Sequence, residues 1–76
     1  FDKEIRSVDT DGKYVAVLFD SEVNTFNKRG KQVGTIYFTG EPKRVTVDGG
    51  RTYILTGVNI KSYKTRGTTD ERQVSK

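Results

Sequence analysis

Two stretches of this chain repeat each other. Val23-Asn24-Thr25-Phe26-Asn27-Lys28-Arg29-Gly30 aligns with Ile60-Lys61-Ser62-Tyr63-Lys64-Thr65-Arg66-Gly67 at an offset of 37, and every position but Lys28/Thr65 matches in size or polarity. Upstream, Gly12-Lys13 matches Gly50-Arg51 and Val15-Ala16-Val17 matches Tyr53-Ile54-Leu55, now at an offset of 38. One residue fewer in a connecting loop, Val58-Asn59 against Asp20-Ser21-Glu22, reconciles the two offsets. A chain of 76 residues made this way is an array of short, similar elements. It divides into a first repeat over residues 1–40 and a second over residues 41–76, the latter ending in a polar tail.

Those elements read as strands. Nine valines stand against two leucines and one alanine, a composition that favours extended backbone over helix. Residues 14–19 form a continuous apolar run between Asp11-Gly12 and Asp20-Ser21. Six residues are few for a helix, the flanks are turn chemistry, and an unbroken run predicts a strand covered on both faces. Further strands are expected over residues 5–9, 22–27, 32–39, 43–48, 51–56 and 59–64. Asp9-Thr10-Asp11-Gly12, Asn27-Lys28-Arg29-Gly30 and Gly49-Gly50 supply turns between them. Gly40-Glu41-Pro42 is expected to break the chain between the repeats, because proline cannot donate to a ladder. Residues 71–75 are the last candidate, a short edge strand around Val74.

Each unit therefore runs moderate strand, Gly turn, apolar strand, polar strand, Gly turn, final strand. On Asp11-Gly12-Lys13-Tyr14-Val15-Ala16-Val17 with residues 23–30, and on residues 48–55 with 60–67, the chain resembles two consecutive blades of a β-propeller. The resemblance is to the loose WD-repeat, YVTN and quinoprotein-like group and spans residues 5–75. There is no tryptophan, so the WD dipeptide is absent, as is the Gly-His pair. The resemblance implies an all-β fold of two four-stranded blades; the alternative is a seven-stranded β-sandwich or small barrel. Two blades do not close a ring, so the resemblance also implies further blades or a homo-oligomer. Binding would then fall to the loops entering each first strand and joining the second and third. These carry Glu41, Lys43 and Arg44, and Asp20, Ser21 and Glu22 with Val58 and Asn59.

Composition excludes several chemistries. Without cysteine there is no disulfide and no Cys-His zinc site, and the redox compartment stays open. Without histidine, the Ser-His-Asp and Cys-His nucleophile arrangements are gone. No apolar run approaches the roughly 18 residues of a membrane-spanning helix. The chain begins at Phe1 rather than Met, and so reads as processed, excised or partly included.

Remaining candidates are few. Asp9-Thr10-Asp11-Gly12 opens like a calcium loop, but the fifth position is Lys13 and the twelfth is Asp20 rather than glutamate, so it reads as a polar hairpin turn. Asp9, Asp11, Asp20, Glu22, Glu41 and Asp48 are carboxylates in or beside turns, with no spacing that marks a glycosidase pair. Gly30-Lys31-Gln32 lacks the partners of a phosphate loop. The net charge of +4 sits in residues 41–67, where six cations face two carboxylates; residues 1–40 balance. Arg51, Lys61, Lys64 and Arg66, interleaved with Tyr53 and Tyr63, are the nucleic-acid candidates. They equally suit a solvated face that keeps a strand edge from aggregating. Both tyrosines align with apolar positions and are expected in the core, whereas one ring of Tyr37-Phe38 should face outward. The expected function is a non-enzymatic binding or scaffold module without metal or cofactor, contacting a protein or further blades. Its alternatives are a small basic barrel that binds nucleic acid and a carbohydrate-binding oligomeric ring.

Overall fold

The computed structural model describes residues 4–72, which form eight strands in two sheets and no helix. β1 (Ser7–Thr10), β2 (Tyr14–Leu18), β3 (Glu22–Asn27) and β4 (Gln32–Tyr37) make an antiparallel meander, and β8 (Gly67–Asp70) adds to β4 in parallel. β5 (Pro42–Asp48), β6 (Arg51–Thr56) and β7 (Ile60–Lys64) form a second antiparallel sheet. The strand spans follow the turn residues closely. The chain breaks between the repeats as expected, over residues 38–41, and Pro42 begins β5, a position where its missing N–H matters little.

The inner faces of both sheets share one core. Ala16, Leu18, Val23, Ile36 and Phe38 from the first sheet and its edge meet Val45, Val47, Ile54 and Tyr63 from the second. β2 does not bury both faces equally, as its unbroken apolar run predicts. Ala16 and Leu18 are buried, while Val15 and Val17 on the opposite face are half-buried. Tyr53 likewise leaves the core expected of it, because Thr52 and Ile54 take the inward positions of β6 and strand alternation turns Tyr53 out. Tyr63 is buried as expected, and of Tyr37-Phe38 only Phe38 faces in. The Tyr37 ring lies under the Arg72 guanidinium, 4.3 Å from its centre.

The sheets hold five and three strands, rather than the four and four that two complete blades require. The cause lies at Thr65, which anchors the chain where it leaves β7. Its N–H donates to the Gly50 carbonyl at 2.9 Å, its hydroxyl donates to the Gly49 carbonyl at 2.9 Å, and its carbonyl accepts from the Thr25 hydroxyl at 2.6 Å. Gly67, at φ +92°, then turns the backbone into β8 on the first sheet. The predicted strand over residues 71–75 is thus displaced to Gly67–Asp70; Glu71 and Arg72 form a turn, and residues 73–75 lie outside the described residues. Eight strands also exceed the seven of the sandwich alternative.

The two repeats differ in phase. At the offset of 38, Ala16 and Ile54 are both fully buried, so β2 and β6 face the core alike. At the offset of 37, buried Val23 corresponds to Ile60, which is 65% exposed, and half-buried Phe26 corresponds to buried Tyr63. A slip of one residue reverses a strand. β7 therefore presents to solvent the side that β3 presents to the core.

Candidate functional site

β1 and β5 run side by side, joined by side chains. Ser7 Oγ accepts the Val45 N–H at 3.3 Å, Asp9 Oδ2 accepts the Val47 N–H at 2.9 Å, and Asp11 Oδ2 accepts the Gly49 N–H. Alternate residues of β1 point the same way, so their oxygens match the alternate N–H groups that β5 leaves outside its own ladder. This seam explains the Asp-rich turn that resembles the start of a calcium loop. Asp11 Oδ1 also accepts the N–H groups of Lys13 and Tyr14, each at 2.8 Å. Backbone donors from Tyr14, Gly49 and Lys13 hold its carboxyl down to about 2 from an ordinary 3.8. Among the described residues, no cluster of three or more His, Cys, Asp or Glu side chains is placed to hold a metal.

Because the folded pKa of Asp11 lies below the unfolded one, its contribution to stability is present above about pH 4. It is lost as pH falls toward 2. Asp11→Asn should lower the urea midpoint at pH 5, and the gap from wild type should narrow steadily down to pH 2. A gap independent of pH would show that the carboxylate charge contributes nothing.

Strand direction sorts the connections into two ends. Connections β2–β3, β4–β5 and β6–β7 lie at one end; β1–β2, β3–β4, β5–β6 and β7–β8 lie at the other. The first end gathers all the loop candidates. Glu41, Lys43, Thr56, Val58, Asn59 and Lys61 line a cavity of about 410 Å³ there. Asp20 and Ser21 occupy the separate β2–β3 turn, where Asp20 pairs with the Arg6 guanidinium. Glu22 is half-buried at the start of β3, and Arg44 is exposed in β5.

Lys61, a candidate for nucleic acid, is taken up at this same end. Its Nζ donates to the Thr39 carbonyl at 3.2 Å and to Glu71 Oε1 at 3.3 Å, and the Tyr63 hydroxyl donates to the same carboxylate oxygen at 2.7 Å. The Tyr63 bond, then Lys61, holds the Glu71 carboxyl below its usual range. Burial, then Glu71, pushes the Tyr63 phenol up.

The other nucleic-acid candidates do come together. Arg51, Ser62, Lys64, Arg66, Thr68 and Thr69 line a cavity of about 430 Å³ at the opposite end. Arg66 also borders a second cavity of about 290 Å³, with Lys13, Tyr14, Asn27, Lys28 and Arg29. Sequence reasoning missed Lys13, Lys28 and Arg29, because residues 1–40 balance when charge is summed along the chain. The signal lay in which hairpins share an end.

Fold and site together define a small all-β domain of two sheets on one core, with loops and charge sorted between its ends. A family model matches residues 1–74, and the chain belongs to that family, DUF5711, a family of unknown function. No curated protein matches the chain.

Proposed function

We propose that the protein is a non-enzymatic scaffold module acting as two consecutive units of a propeller-like array. Recognition is assigned to the loops at the Glu41, Lys43 and Asn59 end. The observation that carries this is apolar surface on the outer face of each sheet. On the first sheet Val8 faces Val17 and Val15 faces Phe26 across the ladders, with Val8 55% exposed. On the second, Leu55 faces Ile60, and both are exposed beside Val58. A pair of sheets that has satisfied itself keeps polar residues outside. Here each outer face is suited to another sheet, and the two faces differ, so copies would join head to tail. The seam adds support, since in a propeller the first strands of successive blades also lie side by side. The departure is β8, which leaves the second unit with three strands.

Light scattering after size exclusion tests this directly. A closed oligomer such as a trimer is expected from the 76-residue chain. Leu55→Glu with Ile60→Lys should convert it to a folded monomer, since both residues sit on the outer face. A wild-type chain that is itself a folded monomer would overturn the array.

A further inference from the structure

We infer that the end formed by connections β1–β2, β3–β4, β5–β6 and β7–β8 is a binding surface for single-stranded nucleic acid. Within these turns and the residues flanking them stand Lys13, Lys28, Arg29, Lys31, Arg51, Lys64 and Arg66, all exposed, against the carboxylates Asp11 and Asp48. Asp11 is itself enclosed by three backbone donors. None of the seven cations takes part in an ion pair among the described residues; Arg51 donates to the Ser62 hydroxyl at 2.7 and 3.0 Å. The opposite end is different in kind. There Arg6, Lys61 and Arg72 are each paired with a carboxylate, Asp20, Glu71 and Asp70 in turn, which leaves only Lys43 and Arg44 without an ion pair among the described residues. Seven of the nine cations without an ion pair among the described residues thus stand at one pole.

The shape of that pole narrows the ligand. The two cavities meet at Arg66, so a polyanion lying in one continues past the guanidinium into the other. Guanidinium and ammonium groups neutralise successive phosphates. The hydroxyls of Ser62, Thr68 and Thr69 can donate to backbone oxygens, and half-buried Tyr14, packed against the core, lines the second cavity. A membrane surface fits less well, because anchoring adds apolar contact to charge. Of the exposed large apolar side chains, Ile5, Leu55, Val58 and Ile60 belong to the opposite end, and Val8 lies midway along the outer face. The inference stands independently of the array, since the pole lies at the ends of the strands and not on the outer sheet faces.

The test is fluorescence anisotropy with a labelled oligothymidylate of about twelve nucleotides, from about 50 to about 200 mM salt. With three or four phosphates engaged, log K should fall against log salt with a slope of about −2 to −3. Arg29→Glu with Arg66→Glu should weaken binding at least about tenfold and flatten the slope. The opposite-pole pair Lys43→Glu with Arg44→Glu changes net charge equally and should weaken it less than about twofold. Circular dichroism confirms that each exposed variant keeps its strands. Equal losses from both pairs would reduce the effect to net charge and overturn the site. So would an absence of binding at low salt, tighter binding of a duplex, or binding to anionic lipid vesicles in place of the oligonucleotide.

Discussion

Gly34→Ala is expected to abolish or nearly abolish folding. A Cβ at this position would lie 2.2 Å from the Thr65 carbonyl oxygen, 2.6 Å from Thr25 Oγ1 and 3.0 Å from the Gly67 carbonyl oxygen. Two of these are backbone atoms of the β7–β8 crossover, held by the Thr65 hydrogen bonds and by the pairing of Gly67 with Gly34 itself. They cannot yield without breaking β8 from β4. The displaced Thr25 hydroxyl would in addition lose its acceptor, the Thr65 carbonyl, deep in the core. Overpacking together with a broken buried hydrogen bond amounts to about 3–5 kcal/mol. That approaches the whole stability of a small domain. Urea denaturation followed by circular dichroism measures it, and a variant within about 1 kcal/mol of wild type would show that the crossover is not packed on Gly34.

The second large effect concerns two threonines with no exposed surface. Thr52 Oγ1 and Thr65 Oγ1 lie 2.8 Å apart, and Thr65 Oγ1 also donates to the Gly49 carbonyl. In Thr65→Val the volume is nearly kept, but the Thr52 hydroxyl and the Gly49 carbonyl both lose their partner, an expected loss of about 2–4 kcal/mol. Thr52→Val removes one bond and leaves Thr65 its carbonyl, so about 1 kcal/mol is expected. The double variant should be less destabilised than the sum of the singles by at least about 0.5 kcal/mol, because it buries no stranded hydroxyl. Strict additivity in urea denaturation of the four proteins would show that the pair does not act as a unit.

Both predictions centre on a region that sequence patterns describe poorly, and the reason is physical. Strand positions were legible because turn residues and apolar alternation are local: β3 and β6 fall on the predicted spans without adjustment. The partner of a strand is not local. Nothing in Gly67-Thr68-Thr69-Asp70 distinguishes a fourth strand beside β7 from a strand added to β4. The choice is made by Thr65 bonding at a distance to Thr25, Gly49 and Gly50. Repetition was misleading in phase for the same reason. Matching Val23 with Ile60 compares residue types, whereas burial follows register, and one residue of slip reverses it.

The site was legible in part. Arg51, Lys64 and Arg66 were found as a set because they cluster along the chain as well as in space. Lys61 was included by proximity in sequence, yet it points to Glu71 at the other end. Lys13, Lys28 and Arg29 join the set only because antiparallel strands return every second connection to the same pole. Charge summed in windows along the chain averages over that alternation.

The seam between β1 and β5 bears on how the chain reaches its fold. Each of its three hydrogen bonds joins residues 38 apart in sequence. The β5–β6 and β6–β7 hairpins, by contrast, close through short local turns and can form early. Until residues 7–11 arrive, β5 is an open edge whose free N–H groups are able to pair with another molecule. Docking of Ser7, Asp9 and Asp11 closes that edge, so the interval before they dock is the one in which edge pairing with another molecule competes with folding.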